Sequence, residues 1–217
     1  MASATSEGSA ASPSITKEDV KLPCKQDKLA FVLYNVLTPQ ECKELIDKTE
    51  KKGYELALVN TGFGRQKAMT DIRNSSRCII DSEEYATELW RRIKDFVPPV
   101  FKGRKVLGLN ERLRYLRYDK GEYFKPHYDG VYIRENGERS CITFQLYLNE
   151  GFQGGATNFL GSNFEVEPVV PKTGSVLIFQ HDIFHEGEEL KKGRKYAMRT
   201  DVMYSAERSY GNEGTPV

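Results

Sequence analysis

From Glu111 to Tyr204 the chain is broken into short β-prone runs punctuated by Gly, Pro and Asn. That texture predicts a β-sandwich or barrel. Candidate strands are Arg112–Tyr118, Tyr128–Ile133, Cys141–Leu148, Ala156–Leu160, Ser175–Phe179, His185–Leu190 and Lys195–Tyr204. Asn136-Gly137 falls between two of them and is a hairpin signal. In Cys141–Leu148, alternation puts Ile142, Phe144, Leu146 and Leu148 on one face and Thr143, Gln145 and Tyr147 on the other. The polar face is either the wet outside of an antiparallel strand or the wall of a barrel that holds a polar ligand. The strand alone does not choose.

Upstream, Leu29–Leu37 is short, apolar and β-prone, and reads as a strand. Thr38-Pro39-Gln40-Glu41 supplies an N-cap, a proline at the first helical position and a glutamate at the third, so it forms a capping box. Cys42, Leu45 and Ile46 follow at helical spacing, predicting a helix to about Lys51. A second helix is expected from Glu83 to about Phe96, with Tyr85, Leu89, Trp90 and Ile93 as its apolar stripe and Pro98-Pro99 as its stop.

A chain of 217 residues suits one domain, mainly β with flanking α. Residues 1–27 and 208–217 read as disordered tails, 28–110 as N-terminal strands and supporting helices, and 111–207 as the β core. Thr61 to Arg73 is Gly-bearing and cationic. It is either a flap that orders over substrate or an ordinary solvated loop.

The net charge of +1 gives no field favouring nucleic acid or anionic membrane. No apolar run approaches the ~20 residues that span a bilayer. Met1 to Pro13 lacks the apolar core of a secretory signal. Cys24, Cys42, Cys78 and Cys141 have no C-x-x-C spacing. The expectation is reduced thiols in a cytoplasmic or nuclear protein, a monomer or weak oligomer.

The chain has three histidines. His127 and Asp129 are two apart, so an extended segment points both side chains the same way. His181 and His185 are four apart, but the strand-like Gly174–Phe179 ahead of them disfavours a zinc-binding helix. Parity leaves either histidine as a distal ligand. Two imidazoles and one carboxylate can occupy one face of an octahedral metal and leave the other open, as in non-haem Fe(II) oxygenases. On the last strand, Lys195, Ala197, Arg199, Asp201 and Met203 share a face. A cation pointing into an apolar-walled barrel demands an anion, which a bound dicarboxylate would supply. If the opposite face is inward, these charges are solvated.

Taken together, about Arg112 to Tyr204 resembles the prolyl and lysyl hydroxylase branch of the 2-oxoglutarate- and Fe(II)-dependent oxygenases. The matching pieces are Tyr118-Asp119-Lys120-Gly121 leading to Pro126-His127-Tyr128-Asp129, then Tyr147-Leu148-Asn149, Gly154–Phe159, Pro171–Gly174, His185-Glu186-Gly187 and Gly193–Tyr196. The resemblance implies a double-stranded β-helix, a jelly-roll of cupin-like kind, supported by N-terminal helices. It implies iron on His127, Asp129 and His185, choosing His185 because it opens an H-x-G stretch ten residues before Lys195. It implies 2-oxoglutarate on Lys195, with Arg199 as the alternative, helped by Tyr147 and Thr143, and Tyr118 near the metal. Fe(II), 2-oxoglutarate and O2 are the implied cofactor and cosubstrates, with ascorbate as an auxiliary. The implied reaction couples decarboxylation of 2-oxoglutarate to succinate and CO2 with hydroxylation of an unactivated C–H bond.

The expected substrate is a peptide or protein, with proline first among targets, or else a small molecule such as a free amino acid. Collagen is a poor fit, because no peptide-binding domain accompanies the core. Nucleic-acid demethylation is disfavoured: Arg194 and Arg199 are five apart, where that group has two arginines six apart. A catalytically silent cupin-like binding protein is the rival of another class, and the complete ligand set argues against it.

Overall fold

The structure, a computed structural model, describes residues 14–23, 27–62 and 65–207. Two β-sheets form the body. The larger is ten-stranded, and its central run pairs Ala30–Tyr34, Val176–Gln180, Arg139–Tyr147, Lys195–Tyr204, Arg112–Tyr118 and Ser76–Asp81 in that order, antiparallel throughout. The smaller pairs Phe124–His127, His185–Gly187, Thr157–Leu160 and Val166–Val169.

Alternation decides what each face of the large sheet does. Phe31, Leu33, Ile142, Phe144, Leu146, Val176, Ile178, Met198 and Val202 point outward to a core shared with both helices, through Cys42, Leu45, Leu89 and Ile93. The intervening residues Val32, Tyr147, Leu177, Phe179 and Ala197 point inward and pack on Phe159 and Val169 of the small sheet. Both faces are therefore covered, and the polar members of the inward set line a space between the sheets. Of the two readings of the Thr143-Gln145-Tyr147 face, the barrel wall is the one observed.

The helices form for the reasons their caps suggest. Pro39–Lys52 starts at Thr38, whose hydroxyl accepts from the Glu41 amide while Glu41 accepts from the Thr38 amide at 2.7 Å. Glu41 is also paired with Arg92 of the second helix at 2.6 Å, so one cap also joins the helices. The second helix, Glu83–Ile93, is capped by Ser82 and ends in a 3-10 turn over Lys94–Phe96.

Several expectations change. The proposed N-terminal tail is shortened, because Thr16–Asp19 forms a strand paired with Phe31–Tyr34. The rest of that tail up to Pro13, and the tail from Arg208, lie outside the described residues. The expected strand Tyr128–Ile133 is absent: the strand is Phe124–His127, and the chain then leaves the sheet. Its donors go elsewhere, the Asp129 amide to His181 O at 3.1 Å and the Tyr132 amide to Ser140 Oγ at 2.8 Å. Tyr128, Val131, Tyr132 and Ile133 stay exposed. The run His185–Leu190 divides into His185–Gly187 and Leu190–Lys192. Ser76–Asp81 and Arg104–Leu109 are further strands of the large sheet, and the charged residues in them (Arg77, Asp81, Arg104 and Lys105) obscure a simple apolar run. In the flap region, Val59–Gly62 and Arg65–Lys67 pair as a small hairpin.

Candidate active site

Between the sheets lies a cavity lined by residues of both, among them Tyr118, His127, Asp129, Gln145, His185, Lys195 and Arg199. The small sheet sets the histidines opposite each other, because His127 and His185 are register partners on neighbouring strands. Their ring centroids are 4.3 Å apart. Asp129 reaches them from the loop that follows His127. Its two oxygens lie 3.7 Å from His127 Nε2 and 3.8 Å from His185 Nε2. All three ligand atoms fall within 4.8 Å of one another.

Each histidine is oriented by its own backbone. His127 Nδ1 lies 2.7 Å from Lys125 O, and His185 Nδ1 lies 2.9 Å from Ile183 O. A carbonyl accepts, so Nδ1 carries the proton and the Nε2 lone pair is left facing Asp129. Burial pulls His185 down to about 4, against the opposing pull of Asp129, so its imidazole is neutral and ready to ligate. Burial pushes the Asp129 carboxyl up, but the Arg199 guanidinium beside it outweighs that and holds the group well below the usual carboxylate range. Thr143 Oγ1 donates to Asp129 Oδ2, and Arg199 Nη2 sits 3.0 Å from Oδ1. Both oxygens are thereby oriented. Two imidazoles, each turning Nε2 to the site, and an ionised carboxylate between them fit a divalent metal of the first transition row.

At the other end of the cavity Lys195 is 3 % exposed. Its Nζ donates to Gly155 O at 2.6 Å and lies 5.2 and 5.6 Å from the ring centres of Tyr118 and Tyr147. No carboxylate lies within ion-pair distance of it among the described residues. Burial pulls the ammonium down to about 8, with only Glu188 opposing. Gly155 makes room for the lysine: its φ is +72°, and a Cβ there would lie 3.3 Å from the Lys195 chain. Tyr147 Oη, fully buried, shares hydrogen bonds with Thr157 at 2.8 Å and Gln145 at 3.2 Å. An unneutralised ammonium beside two tyrosine rings is a receptor for a carboxylate.

Of the residues singled out from the sequence, His127, Asp129, His185, Lys195, Tyr118 and Arg199 line this one cavity. Tyr147 borders Lys195. Thr143, expected at the cosubstrate, has its hydroxyl on Asp129 instead. Arg199, the alternative carboxylate anchor, is occupied by Asp129 and by Asp201 at 3.3 Å. His181 lies outside the converging set, with its Nε2 facing Asp201 Oδ1 at 3.4 Å. Sequence reasoning missed Arg73. This buried residue lies over the Phe124 ring at 4.6 Å, donates to Ser75 Oγ at 3.0 Å and enters the cavity. Only its place at the end of a cationic loop hinted at it. Thr157 lies in the Gly154–Phe159 match and Gln145 on the polar face of its strand, but neither was given a role at the site.

Residues 113–200 match the family described as the 2OG-Fe(II) oxygenase superfamily. A probable prolyl 4-hydroxylase of Arabidopsis thaliana is 29% identical over 148 residues, 64% of this chain and 48% of the relative. Another from the same plant is 30% identical over 174 residues, 69% of this chain and 57% of the relative. The chain thus spans about half the length of the curated relatives it matches. Among solved structures, a prolyl hydroxylase from Trichoplax adhaerens, in complex with a peptide fragment of the hypoxia inducible factor oxygen degradation domain, superposes with a TM-score of 0.62. The match has 17% identity and covers 86% of this chain and 87% of that one. A Pseudomonas putida prolyl-4-hydroxylase gives 0.59 at 17% identity, covering 81% and 92%. These structural likenesses establish the double-stranded β-helix fold. No described helix is long and apolar enough to cross a membrane. Cys42, Cys78 and Cys141 are free thiols; Cys24 lies outside the described residues.

Proposed function

Since the chain carries a domain of the 2OG-Fe(II) oxygenase superfamily, of the prolyl 4-hydroxylase-like branch, we propose that it is a dioxygenase that hydroxylates a peptidyl residue, proline first, while 2-oxoglutarate is decarboxylated to succinate and CO2. One observation carries the reading: a converging His127-Asp129-His185 set and an unneutralised buried Lys195 share a single cavity. The first fits Fe(II), and the second fits the far carboxylate of a dicarboxylic acid.

His127 Nε2, Asp129 and His185 Nε2 would hold the iron. Bound Fe(II), with 2-oxoglutarate and O2, supplies the oxidising power that an unactivated C–H bond requires. The chain's own residues do the rest. Lys195 receives the distal carboxylate, and pairing with that anion raises the ammonium back towards its ordinary range, so it stays charged in the complex. Tyr147, backed by Thr157 and Gln145, offers its hydroxyl to the same carboxylate. The pairing of Arg199 with Asp129 and Asp201 favours Lys195 over it as the anchor. Instead, with Thr143, Arg199 fixes which lone pairs of Asp129 remain for the metal. Tyr118, Leu116 and Ala197 wall the cavity between the two ends and exclude water.

The peptidyl substrate is supported by relatives named as prolyl hydroxylases, one of them solved with a peptide fragment. The test is to supply Fe(II), 2-oxoglutarate and proline-containing peptides, and to follow succinate and a peptide mass gain of about 16. Succinate release without a modified peptide moves the substrate to a small molecule. No release from iron-loaded protein overturns the reading in favour of a silent binding protein. His127→Ala abolishes release if the reading holds.

A further inference from the structure

Outside the cavity just described, a second cleft opens beside the metal loop. His181 is at its floor, Lys102, Arg104 and Arg139 are on its walls, and Val131 is at its rim. It is tied directly to the metal site. His181 O accepts the Asp129 amide at 3.1 Å, and Val131 is two residues beyond Asp129. A substrate reaching the metal from this side would lie across it.

The cleft carries more positive charge than it neutralises. Its one carboxylate, Asp182, is paired with Lys102 at 3.0 Å. Arg104 is bonded to the backbone carbonyls of Ser205 and Ala206, which satisfy its N–H groups without cancelling its charge. Arg139 has no ion pair among the described residues, and its Nε is buried with no hydrogen-bond partner. The thiol of Cys141, raised by burial, adds no anion. His181 is 5 % exposed, and neither ring nitrogen makes a well-formed hydrogen bond. Its Nε2 faces Asp201 at 3.4 Å, and among the described residues Nδ1 has no hydrogen-bond partner.

Buried donors without acceptors are costly, and an unpaired guanidinium more so. A carboxylate entering the cleft meets this unneutralised charge, and a planar guanidinium can hold it in a two-point contact. The rim adds a second element of fit: Val131 is about half exposed, and its neighbours in the chain, Tyr132 and Ile133, are exposed too, so apolar side chains can rest there. We propose that this cleft is a substrate subsite that takes an acidic side chain flanking the hydroxylated residue, making the substrate an acidic peptide. The inference rests on the peptide-hydroxylase reading and narrows it.

The test is a binding comparison under anaerobic conditions, with the protein loaded with Fe(II) and 2-oxoglutarate. Three fluorescein-labelled peptides share a central proline and differ only in their flanking residues, which are glutamate, glutamine or lysine. At fixed ionic strength, the glutamate peptide binds at least about tenfold more tightly than the glutamine peptide, and the lysine peptide binds most weakly. Arg139→Gln brings the glutamate-to-glutamine ratio below about two and leaves the glutamine peptide unchanged. Lys102→Glu, at an exposed turn position, also lowers the ratio. Equal binding of glutamate and glutamine peptides, absence of binding by all three, or a ratio that survives both substitutions overturns the proposal. Succinate release without peptide is recorded in parallel. Its absence from the unsubstituted protein counts against the oxygenase reading, whereas its persistence in Arg139→Gln shows that the metal site is intact.

Discussion

Replacing Lys195 by methionine should stabilise the free protein while disabling it. Lys195 is buried without a counter-ion, and its ammonium is pulled from an ordinary 10.5 to about 8. At about 1.4 kcal/mol per pH unit, that is a burial penalty of about 3 kcal/mol while the group is charged. Methionine has nearly the same volume and no charge. The substitution also strands Gly155 O, which loses its 2.6 Å donor at a cost of about 1–2 kcal/mol. The balance at pH 7 is a gain of about 1–2 kcal/mol in urea unfolding without 2-oxoglutarate. Below pH 8 the lysine is charged in folded and unfolded chains alike, so the whole penalty applies. Between about 8 and 10.5 the folded protein releases its proton first and the unfolded chain binds more protons. Stability of the unsubstituted protein therefore rises with pH across that window, and the advantage of the variant shrinks until it reverses. With 2-oxoglutarate present the order also inverts, since only the lysine protein is stabilised by the ligand. KM for 2-oxoglutarate should rise about 10- to 100-fold, as expected for loss of a charge-assisted contact of about 1.5–3 kcal/mol. A variant less stable than the parent at pH 7, by a margin that does not change up to pH 10, would refute the claim that an unneutralised ammonium lies in this cavity.

Asp201→Asn leaves Arg199 and Arg114 buried without their shared carboxylate and should destabilise by about 3–5 kcal/mol in urea melts. Burial raises the Asp201 carboxyl, but Arg199 dominates and holds it at about 2. Its contribution is thus full above about pH 4 and lost as pH falls through 2, and the asparagine variant should lack that acid-limb loss. Asp129→Ala and His185→Ala should each abolish tight Mn(II) binding, read from the loss of free-ion signal in electron paramagnetic resonance; retention by both would remove the metal assignment. Gly174→Ala drives a Cβ into Leu37 O at a φ of +76°. It should lower Tm by roughly 6–12 °C, for a strain of about 3 kcal/mol, and an unchanged Tm would contradict the backbone described there.

The parts of the fold legible in the sequence were those where one face is dry and the other carries chemistry. Cys141–Leu148 and Lys195–Tyr204 announce themselves because period-two alternation survives only when both faces have fixed neighbours. Thr38-Pro39-Gln40-Glu41 was equally plain, since a capping box is a local event. Tyr128–Ile133 misled for the opposite reason. Its apolar residues suggest a buried strand, yet they are exposed on a loop whose course is set by distant partners, His181 O and Ser140 Oγ. The roles of Arg73 and Thr157 were not legible because nothing near them in sequence specifies where they point. His181 and His185 were inseparable by spacing, and the difference lies in which nitrogen is held: His185 is fixed by Ile183 O, whereas His181 turns to Asp201.

The strand Lys195–Tyr204 holds Lys195, Arg199 and Asp201 on one side and Tyr196, Met198 and Val202 on the other. Its tolerance to length change should therefore be close to nil. Deleting one residue at its centre would turn every side chain beyond the deletion to the wrong sheet face, putting Val202 where Asp201 meets Arg199 and turning Asp201 towards the core under the helices. The turn at Glu135-Asn136-Gly137 bears no such double duty, and an extra residue there would lengthen only a surface hairpin. Drift in a lineage of such proteins should accumulate as insertions at that tip and almost never along that strand.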